Sequence, residues 1–177
     1  MYKIISSKYI YRGKVFSLRN DKVIVSGTDQ ILSREIIEHP GSVAIIPIDD
    51  DDNVYMVSQY RHPTGKVLME IPAGTLNKGE SSFDCARREL REEIGMLPNT
   101  LISLGQFYLA PGYSSEKMYV FLGKDLEYLP LSQDDDENIS VHIVPLVSLM
   151  QQMNNGDIVD MKTIASLLLF SQRNDVV

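Results

Sequence analysis

Apolar and polar positions follow three different rhythms along the chain. Up to about residue 40, β-branched and aromatic residues recur in short runs, YIYRGKVFSL, DKVIVS and QILSREIIEH. Their composition predicts strands, separated by turns at Asn20-Asp21 and Gly27-Thr28-Asp29, and hence a small antiparallel sheet. From Gly41 the rhythm changes. GSVAIIPI is an almost unbroken apolar run, the pattern of a strand covered on both faces. An acidic turn, DDDDN, follows, with VYMVSQY as its expected hairpin partner. KVLMEIPAG reads as a further strand whose regular pairing ends at Pro72.

Residues 82–94 show the third rhythm, that of a helix. Ser81 is the expected N-cap, with Asp84 in the position that a glutamate takes in a capping box, and Gly95 is the expected C-terminal glycine. Strands are predicted again at LISLGQFYL, MYVFLGKDL and ISVHIVPL. Helical segments follow around LVSLMQQM and MKTIASLLLFSQ, the latter with Ile164, Leu167 and Leu168 as a core stripe. Strands outnumber helices and no internal repeat is present, so the expected class is α+β, with sheets and helices in layers. The division expected is an N-terminal β-region, 1–40, and a main domain, 41–177.

Composition narrows the partners. Of 177 residues, 24 are acidic and 17 basic, giving a net charge of −7. A nucleic-acid polymer needs a basic surface and is not expected as a partner. A small anionic substrate remains compatible if divalent cations bridge it to acidic side chains. No apolar run approaches the ~18 residues that span a bilayer, and MYKIISSKYIYRGKVF lacks the pattern of a signal peptide. The single cysteine, Cys85, rules out an intrachain disulfide and suits a reducing cytoplasm, where it reads as a small apolar filler.

The predicted helix carries the candidate chemistry. At about 100° per residue, Glu89 and Glu93 lie nearly in line, with Glu92 one step round from Glu89. Like charges so placed repel, and Arg88, four residues before Glu92, neutralises part of the cluster. Glu89 and Glu93 gain no opposite charge from helical spacing. Two carboxylates facing each other suit a hard cation such as Mg2+. The surroundings extend the pattern: Gly74, Glu80, Arg88-Glu89-Leu90, Glu92-Glu93 and Gly95-Met96 stand at the fixed spacings of a Nudix box. The chain therefore resembles the Nudix hydrolases, which cleave nucleoside diphosphates linked to another group.

That resemblance implies a Nudix-type α/β/α sandwich with a mixed sheet, behind the small antiparallel N-terminal sheet. It implies metal ligation by Glu89, Glu92, Glu93 and the backbone carbonyl of Ala73, with Glu92 also among the catalytic residues. Arg88 and Glu80 would support the loop–helix geometry. The expected cofactor is Mg2+, with Mn2+ or another divalent cation as alternatives.

Flanking segments resemble the ADP-ribose pyrophosphatase branch. SQYRHPTGKVLMEIPAGTL contains its Q-[YF]-R segment ahead of E-x-P-A-G, which implies that Arg61 contacts substrate phosphates. FYLAPGYSSEKMYVF resembles the branch's proline-containing segment, with Pro111 fifteen residues beyond Met96, and implies that Glu116 binds ribose hydroxyls. QDDDENISVHIVPL resembles its acidic loop, implying a catalytic base at Glu137 or, second, Asp135. The branch pairs as homodimers, with N-terminal segments reaching the partner, and Tyr11, Phe16 or Arg34 would contact the adenine. The implied reaction is hydrolysis of ADP-ribose to AMP and ribose 5-phosphate. Alternatives are another nucleotide sugar such as GDP-mannose, a diadenosine polyphosphate, or a non-catalytic ADP-ribose-binding module.

Overall fold

A computed structural model describes residues 1–132 and 138–173. The chain divides into two compact units, residues 1–41 with 107–118, and residues 42–106 with 119–177.

The first unit is built on an antiparallel sheet in the order β1 (Tyr2–Arg12), β2 (Ser17–Val25), β3 (Ile31–Glu38). The turn signal at Gly27 is used, with φ 84°. The one at Asn20-Asp21 is not: β2 runs straight through both residues, and the first hairpin turns instead at Gly13–Phe16, closed by Gly13 N–H donating to Phe16 O at 2.9 Å. The reason lies in Asp21. Its carboxylate is buried and takes Arg19 as partner, with Nε at 2.9 Å, so it has no use for a turn's backbone donors. Arg19 also holds Glu38. Segment 107–118 is stitched to the end of β3: Ile37 N–H donates to Tyr113 O at 2.8 Å and Ser115 N–H to Ile37 O at 2.9 Å.

The second unit holds two sheets. One runs β7 (Ala73–Thr75), β4 (Ser42–Pro47), β9 (Lys117–Tyr128), β8 (Met96–Tyr108). The other runs β10 (Ile139–Pro145), β5 (Asn53–Arg61), β6 (Lys66–Glu70). Strand β5 thus lies in a different sheet from β4, although across the acidic turn Ile48, just past β4, bridges Val54 antiparallel and Asp49 N–H donates to Asn53 O at 3.0 Å. The acidic turn sends the chain into the other sheet. Asp49 Oδ1 caps it by accepting from the N–H groups of Asp51 and Asn53 at 3.0 and 2.9 Å, and Asp52 takes a left-handed conformation.

Every residue of β4 is buried, because helices cover both of its faces. Val43 and Ile45 pack with Cys85, Ala86 and Leu90 of helix α1 (Ser82–Glu93). Ala44 and Ile46 point the other way by strand alternation, and they too are fully buried. Helix α3 (Met161–Ser171) also packs on β4, which completes an α+β, α/β/α sandwich around a mixed sheet. A short α2 (Leu146–Asn155) precedes α3 and ends at Gly156 in a left-handed conformation. The buried stripe of α3 is Thr163, Ser166, Leu167 and Phe170; Leu168, expected in the core, is exposed. The stripe is shifted because the Thr163 hydroxyl accepts the N–H of Ile71 at 3.0 Å and so turns that edge of α3 inward.

Candidate active site

The capping of α1 fixes where its charges point. Ser81 Oγ accepts from Asp84 N–H at 3.1 Å. The reciprocal half of the box differs from expectation: the Asp84 carboxylate accepts the Ser81 hydroxyl at 2.6 Å, a contact within reach of a side chain one methylene shorter than glutamate. At the other end Gly95 has φ 74°, where a side chain would be strained. Between these caps, Cys85, Ala86 and Leu90 face the core, and Glu89 and Glu93 lie on the neighbouring face against β7. Burial and the nearby Glu89 carboxylate push the Cys85 thiol far up, which leaves it the inert filler expected.

Both glutamates are buried despite their charge, at 7% and 3% exposure. The Glu93 carboxylate accepts from Ala73 N–H at 3.3 Å. Glu89 lies on Gly74 so closely that a Cβ there would stand 1.8 Å from its carboxyl carbon. Glycine at position 74 is therefore a demand of packing, since any side chain would displace Glu89. The repulsion expected along this face is offset by Arg88. Its Nη1 donates to Glu89 at 2.7 Å and to Glu92 at 2.8 Å, while Nε and Nη2 take both oxygens of Glu80 at 2.8 and 3.0 Å. Glu89 thus acquires from its immediate neighbour the partner that four-residue spacing did not offer it. One guanidinium ties three carboxylates and the Thr75 carbonyl, which locks the loop before the helix onto the helix. The Arg88 charge and the Asn77 N–H hold the Glu80 carboxyl at about 2, well below its ordinary value. Arg88 is correspondingly held further in its protonated form, chiefly by Glu80.

A second charged cluster borders this face. Arg61, at the end of β5, lays its Nε and Nη2 on the two oxygens of Glu70 at 2.9 and 2.7 Å. Glu70 ends β6 with 1% exposure and also receives Lys162 of α3. Burial opposes ionisation of Glu70, yet the Arg61 hydrogen bonds and the Lys162 charge together hold its carboxyl below the usual range. Arg61 is in turn held protonated by Glu70 foremost, with Glu93 and Asp160 adding to the effect.

In the first unit, Arg34 lies on β3 with its guanidinium 5.3 Å above the Tyr2 ring, and Glu116 stands 3.9 Å from His39 Nδ1. Glu137 and Asp135 lie outside the described residues. Sequence reasoning missed Glu70 and Lys162. A charge inside the apolar run VLMEIPAG was one available signal. The other was a lysine in the first turn of a helix, where the helix field disfavours a cation.

Among the described residues, no three acidic, histidine or cysteine side chains form a ready-made cation cage. The donor chemistry nevertheless fits Mg2+. Glu89 and Glu93 are buried oxygen donors on one face, Gly74 leaves room for the first, and Glu92 stands beside them. No helix among the described residues is long and apolar enough to cross a membrane.

Comparison with known proteins gives the family. The chain is 37% identical to the ADP-ribose pyrophosphatase of Mycobacterium tuberculosis, over 94% of its own length and 82% of the relative's. It is 36% identical to the ADP-ribose pyrophosphatase of Bacillus subtilis, over 91% and 88%. A crystal structure of an ADP compounds hydrolase superposes with a TM-score of 0.84 at 26% identity, covering 97% of this chain and 92% of that one. Residues 38–165 match the NUDIX domain, and with the box intact on α1 the chain belongs to the Nudix family and is a Nudix hydrolase.

Proposed function

We propose that this enzyme hydrolyses the pyrophosphate bond of ADP-ribose to AMP and ribose 5-phosphate in a Mg2+-dependent reaction. The observation that carries the reading is the pair of buried carboxylates, Glu89 and Glu93, seated on the Ala73-Gly74 turn beside the Arg61 guanidinium cluster. The two relatives named as ADP-ribose pyrophosphatases support the choice of substrate.

Glu89, Glu92, Glu93 and the Ala73 carbonyl would hold the cation. When bound, a hard divalent ion supplies charge neutralisation for the pyrophosphate and Lewis-acid polarisation at the reacting phosphorus. Arg88 keeps the carboxylates from repelling one another and fixes their direction before substrate arrives. Arg61 binds phosphate oxygens. Its edge towards Glu70 is occupied, so the outer edge formed by Nη1 and Nη2 serves the substrate. Glu137, or Asp135 in its place, accepts the proton of the attacking water, with Glu92 assisting. Glu116 accepts hydrogen bonds from ribose hydroxyls, and Arg34, Tyr11 or Phe16 lies against the adenine. The enzyme works as a cytoplasmic homodimer, in which a second copy covers the exposed apolar side chains of β1.

A substrate panel tests the reading: kcat/KM for ADP-ribose, GDP-mannose, NADH and diadenosine polyphosphates, each with Mg2+ and with EDTA. ADP-ribose should rank first, releasing AMP only when Mg2+ is present. Preference for another compound would move the assignment within the family. Binding of ADP-ribose without product would identify a non-catalytic module.

A further inference from the structure

Arg61 does not face its carboxylate alone. Glu70 is almost fully buried and accepts from two cations, the Arg61 fork and Lys162 Nζ. Lys162 is itself held by Asp160, the N-cap of α3, at 2.9 Å. Asp160 also accepts from the N–H and hydroxyl of Thr163 at 3.0 and 2.6 Å, and that hydroxyl accepts the N–H of Ile71, next to Glu70. A chain of alternating charge therefore runs Arg61, Glu70, Lys162, Asp160. It joins the end of β5 to the first turn of α3 through a carboxylate that water does not reach. Of its members, Arg61 is the most exposed, at 38%, while Lys162 is mostly covered.

Charge counting shows what Lys162 does. Glu70 paired with Arg61 alone would cancel the guanidinium and draw it inward. Lys162 divides the charge of that carboxylate between two cations, and with Asp160 included the four charges cancel; without Lys162, Glu70 and Asp160 would leave one excess negative charge beside the Arg61 guanidinium. A lysine in the first turn of a helix opposes the helix field, so its place there calls for the two carboxylates that flank it.

We infer that Lys162, acting through Glu70, is a positioning residue that holds the Arg61 fork in place and leaves its charge available to the phosphates of the substrate. This rests on the proposed role of Arg61 as a phosphate contact. Lys162 touches no reacting atom, so its removal raises KM and leaves kcat close to its original value.

The test uses the full chain with Mg2+. It measures calorimetric binding of the non-hydrolysable α,β-methylene analogue of ADP-ribose, kcat and KM for ADP-ribose, and the melting temperature. Lys162→Met should weaken analogue binding and raise KM by roughly 5- to 10-fold, the scale of one charge–charge interaction at partial burial, with kcat within about twofold. Lys162→Arg should restore both. Lys162→Gln keeps a donor to Glu70 without the charge and provides a milder variant should the methionine one fold poorly; it should bind as weakly as Lys162→Met. If Lys162→Gln binds the analogue like the unaltered protein, or if either variant lowers only the melting temperature, Lys162 is merely structural and the inference is wrong. Arg61→Met separates the two levels: unchanged analogue binding in that variant would overturn the role of Arg61 itself.

Discussion

Helix α1 with the turn before it, and strand β1 with its sheet, place side chains by opposite rules. Around residues 70–93, charged groups are taken out of water. Glu70, Glu89 and Glu93 are all nearly inaccessible, and Arg61, Arg88 and Lys162 tie carboxylates together. Along β1, all eleven residues are exposed, among them Tyr2, Ile4, Ile5, Tyr9, Ile10 and Tyr11. The strand keeps its place by pairing with β2, in a register from Tyr2–Val25 to Arg12–Ser17 that is interrupted near Ile5 and Ile10. Buried charge is costly unless fully paired, so the first region is determined by contacts within the chain. Exposed apolar surface on this scale marks a place that something else covers, and the proposed second copy fills that role.

The comparison can be broken most sharply at Glu93. Glu93→Gln keeps the shape and an acceptor for Ala73 N–H but removes the charge. Turnover with saturating Mg2+ should fall by about 10²- to 10³-fold, with circular dichroism unchanged. Near-normal turnover would sink the assignment of that carboxylate. Next comes Gly74→Ala, whose added methyl meets the Glu89 carboxyl group. Activity should drop by on the order of 10²-fold and stability by about 1–3 kcal/mol, read from urea unfolding.

On the other side of the comparison, Ile4→Asp places a charge on the exposed face of β1. If a second copy packs there, the dimer dissociation constant should rise by about two orders of magnitude, measured by sedimentation. An unaltered chain that sediments as a monomer at micromolar concentration would refute the dimer.

The smallest effect concerns acid stability. Glu80 has its carboxyl depressed to about 2 in the folded chain, from an ordinary 4.5. Its pairing with Arg88 therefore contributes fully above about pH 4.5 and is lost as pH falls towards about 2. Unfolding midpoints between pH 5 and pH 3 should decline less steeply in Glu80→Gln than in the unaltered protein.

Much of this was legible along the chain because it is local. The bounds of α1, its N-cap, the glycine that ends it and the shared face of Glu89 and Glu93 follow from a period of 3.6 residues and from capping chemistry. Burial of β4 followed from its unbroken apolar run. The errors have a common cause. The turn at Asn20-Asp21, the pairing of β5 with β4 beyond the acidic turn and the inclusion of Leu168 in the core were each decided by groups distant in sequence. Asp21 is buried against Arg19, which in turn reaches across to Glu38 on β3; β10 and β6 take β5; and Ile71 turns Thr163 inward. Local propensity is weak beside such contacts.

The sequence by itself determined the charged helix, the glycine before it and the family to which both belong, because spacing along one helix fixes which side chains share a face. Only the tertiary structure decided how those charges are tolerated out of water. The Arg88 clasp on Glu80 and the Glu70 link between Arg61 and Lys162 join residues 8, 9 and 92 positions apart, and no periodicity along a single element encodes such a meeting.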